Sequence, residues 1–104
     1  MEIYRVDISA PAEKDLRDIA KYISSQLSAP LTAMKMLEAI EEAIEGLSVM
    51  PQSRPPVIDE RLFALGYHKL IVKNYIVFFS INAIEKVVDV ERILHARRDW
   101  LYLL

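Results

Sequence analysis

The chain has 104 residues, a formal net charge of −2 and no cysteine. That length supports one domain, expected over residues 1–104, whose folding buries roughly two thirds of the surface exposed by the unfolded chain. Disulfides and thiolate metal sites are excluded, and the charge argues against a general nucleic-acid binder.

The N-terminal "MEIYRVDIS" has neither the basic nor the apolar region of a secretory signal. No window approaches the roughly 20 apolar residues of a membrane span. A cytoplasmic protein without a membrane partner is therefore expected. Charge is unevenly spread. Residues 1–53 hold 5 Lys/Arg and 9 Asp/Glu, a net −4, whereas residues 54–104 hold 8 and 6, a net +2. The basic half is the one suited to an anionic partner.

In "IYRVDIS", Tyr4, Val6 and Ile8 alternate with Arg5 and Asp7, the pattern of a half-buried strand. Ser9-Ala10-Pro11 is a helix-start signal. Behind it, Leu16, Ile19, Ala20, Ile23 and Leu27 form an apolar stripe. Glu13 and Asp15 fall where the positive helix terminus favours acids. "SSQLSAP" interrupts the stripe, with Ser28 as a candidate cap and Pro30 in the first turn of a second helix. There the stripe is Leu31, Met34, Leu37, Ile40, Ile44 and Leu47, opposite Glu38, Glu41, Glu42 and Glu45. The short link predicts an antiparallel helical hairpin.

"PQSRPP", with three prolines in six residues, reads as a loop, and Gly66 supplies backbone freedom before the next strand. "YHKLIVKNYIVFFSI" reads as two strands around Lys73-Asn74, and "NAIEK" as a second turn. "VVDVERIL" reads as a third strand, with Val88, Val90 and Arg92 on one face and Val87, Asp89, Glu91 and Ile93 on the other. "RRDWLYLL" reads as a short helix or an extended tail. The expected fold is α+β: an N-terminal strand at a sheet edge, a two-helix antiparallel hairpin, then a three-stranded antiparallel meander, with the helices on one face.

His68 and His95 are the only histidines, and no carboxylate pair stands at a ligand spacing beside them. No metal and no cofactor are expected. A metal-free ribonuclease needs a base for the 2′-hydroxyl, an acid for the leaving oxygen, and cations around the phosphate. His68, Lys69, Lys73, Arg92, His95, Arg97, Arg98 and Tyr102 carry such groups, all in the C-terminal half. Each has a plainer reading: solvent-facing lysines, surface ion pairs, or a histidine closing a strand end. Alternation puts Arg92 and His95 on opposite faces unless the strand breaks near Leu94.

Four stretches taken together, "SAPAEKDLRDIAKYIS", "AIEEAIEGLSVMPQSRP", "GYHKLIVKNYIVFFSI" and "VERILHARRDW", resemble the RelE/ParE superfamily of bacterial toxins over nearly the whole chain. The resemblance implies the toxin of a type II toxin–antitoxin module, with a cognate antitoxin that wraps it with a helix and an extended segment. RelE-like members cut mRNA in the ribosomal A site without a metal, whereas ParE-like members poison DNA gyrase. "RILHARRD" and "NYIVFF" look closer to ParE-like and plasmid-stabilisation members. His68 stands where the family often has an arginine, and Lys69 keeps positive charge beside it. Arg92 matches the phosphate-binding arginine of RelE-like nucleases, and His95 lies near their C-terminal catalytic histidine or tyrosine. The lysine-rich character of ribosome-dependent RelE is missing. The leading expectation is ParE-like action on gyrase. The alternatives are a metal-independent, ribosome-dependent mRNA endonuclease using His68, Arg92 and His95, and an inactive relative that only binds antitoxin. Lys69, Lys73, Arg97 and Arg98 are the expected RNA or target contacts.

Overall fold

The computed structural model describes residues 3–54, 56 and 64–97. Four strands and two helices follow one another as β1 (Arg5–Ile8), α1 (Ala10–Lys21), α2 (Pro30–Glu45), β2 (His68–Val72), β3 (Tyr75–Asn82) and β4 (Val87–His95). The sheet order is β1-β4-β3-β2. The expected strand, helical hairpin and meander are all present, and β1 lies at the edge. It pairs parallel to β4, Arg5 opposite Val87 through Ile8 opposite Val90, while the other pairs are antiparallel. No described helix is long and apolar enough to cross a membrane.

α1 starts where its cap is strongest. Ser9 is extended, and its Oγ accepts the Ala12 N–H at 3.1 Å. The same hydroxyl donates to the Glu91 carbonyl at 2.8 Å, so the cap also ties α1 to β4. α1 runs into a π-helical turn, Tyr22–Gln26, a widened turn that the apolar spacing gave no sign of. Ser28 is not a cap. It sits at φ 49°, and Ala29, with no capping side chain, begins α2.

The core lies between the helices and one sheet face. Ala12, Ile19 and Ile23 from α1 and its extension, and Ala33, Ile40 and Ile44 from α2, meet Leu70, Val72, Tyr75, Val77, Phe79, Val88, Val90 and Ile93. Three stripe assignments change. Leu27 is 57% exposed, and Leu31 and Met34 are 72% and 57% exposed. α2 is rolled so that Ala33 faces inward at that end, in place of Leu31 and Met34.

β4 does not alternate as its sequence suggests. Phe78 pairs with Arg92 but Phe79 with Val90, so one residue is inserted at Val90-Glu91. A β-bulge of this kind reverses the facing of everything beyond it. Ile93 therefore joins Val88 and Val90 in the core, and Arg92 turns to the other face with its cross-strand partner Phe78. Both hairpin turns put a lysine in the left-handed region, Lys73 at φ 54° and Lys86 at φ 58°. Gly66, at φ 79°, uses the freedom expected of it.

Candidate functional site

β1 ends at Ile8, five residues short of the end of β4, and leaves the far half of that edge without a strand. α1 fills the gap. Asp15, one turn in, is turned towards the edge and is only 9% exposed. Its Oδ2 accepts the Ile93 N–H at 2.9 Å and Arg92 Nε–H at 2.7 Å, and its Oδ1 accepts from Arg92 Nη2 at 2.9 Å. One carboxylate thus supplies the missing ladder acceptor and a two-pronged ion pair. The hydrogen bonds it donates to Asp15 hold the Arg92 guanidinium above its already high ordinary pKa, against the opposing effect of burial. Asp15 was read as a helix-terminus acid, and its real role depends on the bulge and on where β1 stops.

His95, the last residue of β4, lies on the helix side with Tyr75, its cross-strand neighbour. The two rings meet edge to face at 5.3 Å. His95 Nδ1 accepts the Arg97 N–H at 3.1 Å, so the ring closes the strand end. His68, the first residue of β2, stacks on Phe79 at 5.5 Å and donates from Nδ1 to the Arg54 carbonyl at 3.1 Å. Its row of the sheet is four residues from the row of Tyr75 and His95. At ~3.3 Å per residue, and two strands across, the histidines lie on the order of 15 Å apart.

Arg92, His68 and His95 therefore do not converge. Arg92 is on the face away from the helices, and the two histidines are at opposite ends of the helix-facing side. The strand is unbroken from Arg92 to His95, so the two keep opposite facings. Lys69 shares the Arg92 side through its pairing with Phe78. Lys73 and Arg97 are both exposed and come to one end of the sheet, where the Ala96 N–H donates to the Asn74 carbonyl at 2.8 Å. Arg98 and Tyr102 lie outside the described residues, as does most of the terminal "RRDWLYLL". Among the described residues no group of His, Asp and Glu is arranged to hold a metal ion.

A cleft of about 710 Å³ opens between the helical hairpin and the end of β3 and β4. Ile19, Ile23, Met36 and Ile93 make its apolar wall, and Asp18, Tyr22, Asn74, Tyr75 and His95 its polar rim. Tyr75 is 7% exposed, and burial first, then the nearby Tyr22, pushes its phenol above the ordinary tyrosine pKa. Asp18 is exposed, bonded at 2.7 Å to Lys14, which holds its carboxyl below the ordinary range. Sequence reasoning singled out only His95 here. The π turn lends Tyr22 and Ile23 to the lining and the start of α2 lends Thr32, and the π turn was not legible in the spacing.

The sequence model of the ParE toxin of type II toxin–antitoxin systems, parDE, matches residues 6–100. The chain belongs to the ParE toxin family. No curated protein matches it by sequence. Among solved structures, a chain of the chromosomal ParDE toxin–antitoxin system from P. aeruginosa superposes with a TM-score of 0.75 at 18% identity, covering 91% of this chain and 98% of that one. A mutant of the E. coli toxin RelE in the free state gives 0.64 at 14%, covering 97% and 92%. The toxin–antitoxin complex RelBE2 from Mycobacterium tuberculosis gives 0.62 at 21%, covering 91% and 93%. At these identities the likeness concerns the fold, which the ParE family shares with RelE. As a member of the ParE toxin family the chain is a type II toxin.

Proposed function

We propose that this toxin arrests growth through protein contact with DNA gyrase, in the ParE manner, and that it does not cleave mRNA. The observation that carries this reading is the Asp15–Arg92 pair. A nuclease would set Arg92 on the scissile phosphate, yet its guanidinium is committed to a carboxylate at 2.7 and 2.9 Å. A base and an acid must also lie within about 3 Å of the atoms they serve. His68 and His95 are too far apart to serve one phosphate. No metal and no cofactor enter this reading.

Lys73 and Arg97, with Arg98 beyond them, are the candidate target contacts, and Lys69 is a further one on the opposite face. The cognate antitoxin is the proposed partner, since two of the similar structures are toxin–antitoxin systems. The exposed Tyr22, Leu27, Leu31 and Met34 supply apolar surface for it. A specific complex would bury about 1,200 Å² or more in total.

The test is expression without a partner in a bacterial host, with gyrase cleavage complexes and mRNA 5′ ends followed in parallel. Growth arrest with accumulated cleaved DNA–gyrase complexes and unchanged 5′ ends is expected. New ribosome-dependent 5′ ends would overturn the gyrase reading in favour of the endonuclease. Unimpaired growth would leave a relative that only binds antitoxin.

A further inference from the structure

On the side away from the helices the sheet is divided by charge. One corner carries Asp7, Asp89 and Glu91, with Arg5 bound to Asp7 at 3.0 Å and Ser80 Oγ donating to Glu91 at 3.2 Å. The opposite corner is basic and apolar. Leu70 and Val72 face the core, so Lys69 and Ile71 of β2 face away from it. Ile71 pairs with Ile76, and Ile76 with Leu94, an apolar row across three strands. Ile71, on the edge strand, is 63% exposed. Lys73 follows in the turn, and Arg97 comes to the same end of the sheet. Among the described residues Lys69, Lys73 and Arg97 have no ion-pair partner. Lys73 is also left-handed, at φ 54°, where glycine is favoured, whereas Asn74 beside it is not. Lys86 shares that conformation, but its ammonium lies 5.7 Å over the Tyr4 ring. Lys73 has no such contact among the described residues.

We propose that Ile71 is the anchor by which the toxin docks on gyrase, and that Lys69, Lys73 and Arg97 hold acids around it. The surface it fits is an apolar pocket rimmed by Asp or Glu. Lysines flanking an apolar residue on an edge strand also guard against strand-to-strand association. That role needs no particular position, and position 74 would carry the charge without a left-handed backbone. A cation kept at a strained position points to a contact that needs it there. Ile71 supplies the apolar contact, and the cations around it set the encounter rate and the register. The acidic corner sharpens the fit, because an acidic partner docked the other way round would meet Asp89 and Glu91. The partner's identity rests on the gyrase reading, and the chemistry of the surface on these residues.

The test measures binding of full-length toxin, from cell-free synthesis, to purified gyrase holoenzyme, with a thermal melt of every variant. Ile71→Ser and Lys73→Gly should each bind about tenfold or more weakly. Lys73→Gly eases the left-handed turn and should melt no lower than the wild type, so its loss cannot come from misfolding. Ile71→Val should recover most of what Ile71→Ser loses. Lys35→Ala, at an exposed position of α2, should bind as the wild type does. Raising the salt should weaken wild-type binding, and Lys73→Gly binding less steeply. If Ile71→Ser melts lower, Lys73→Gly alone decides. Undiminished binding by these variants, or binding indifferent to salt, would overturn the inference. So would self-association lost in the same variants, which would make a second copy the occupant. Gyrase bound and cleaved complexes accumulated equally by wild type and variants defeats this inference alone. A wild type without affinity for gyrase defeats the gyrase reading and, with it, this docking surface.

Discussion

Asp15 and Arg92 lie 77 positions apart in sequence and meet through two hydrogen bonds of 2.7 and 2.9 Å, beside a third from the Ile93 N–H to the same carboxylate. The pair is a clamp between α1 and the edge of β4. Asp15→Ala should cost about 2–4 kcal/mol, a little below the full cost of orphaning one member of a fully buried pair, because the Arg92 side chain is 23% exposed. Asp15→Asn keeps an acceptor for Ile93 and should cost less. Denaturant unfolding of both, with Arg92→Ala and the double variant, measures the coupling.

Arg92→Lys retains the positive charge but not the two-pronged geometry. Toxicity should fall only as far as the folded fraction falls, read from growth arrest against thermal melting. Loss of toxicity with an unchanged melt would return Arg92 to a direct functional role.

The bulge makes a prediction about length. Deleting Glu91 would leave Val90, Arg92 and Ile93 in regular alternation with their facings unchanged, so the variant should still fold cooperatively, at lower stability because Ser9 Oγ loses the Glu91 carbonyl. Glu91→Ala keeps the extra residue, loses the 3.2 Å bond from Ser80 Oγ, and should melt close to the wild type. Circular dichroism melts separate the two.

Exposure divides the residues of the α2 stripe. Ile40 is wholly buried, and Ile40→Ala should cost about 2–4 kcal/mol. Leu31→Ala, at a position 72% exposed, should change stability by about 0.5 kcal/mol or less. Equal losses at the two positions would contradict the observed roll of α2.

Burial favours the neutral Tyr75 phenol, so its folded pKa lies above its unfolded value. Its contribution is complete below the unfolded pKa of about 10 and is lost as pH rises through the folded value. Tyr67 shifts the same way, by burial and by Glu91. Stability should therefore fall above pH ~10, and more shallowly in Tyr75→Phe. Midpoints of urea unfolding between neutral and alkaline pH give the slope.

Elements whose signals are local were legible. Ser9 with Pro11 marked the start of α1, "YHKLIVKNYIVFFSI" read as two strands around Lys73-Asn74, and Gly66 marked a point of backbone freedom before them. Elements governed by distant partners were not. The π turn, the left-handed Ser28 and the bulge at Val90-Glu91 have no periodic signature, and each redirects the side chains that follow. "ERILHARRDW" therefore looked like a cluster when its members point apart.

The sequence by itself determined the order and kind of the elements and the ParE family pattern, because apolar periodicity, caps and turn residues act over a few neighbours. Only the tertiary structure decided what Arg92 and Asp15 do. The bulge chose the face on which Arg92 emerges, and the early end of β1 left an unpaired Ile93 N–H for Asp15 to satisfy. A buried donor and a buried charge must find partners wherever the chain brings one near.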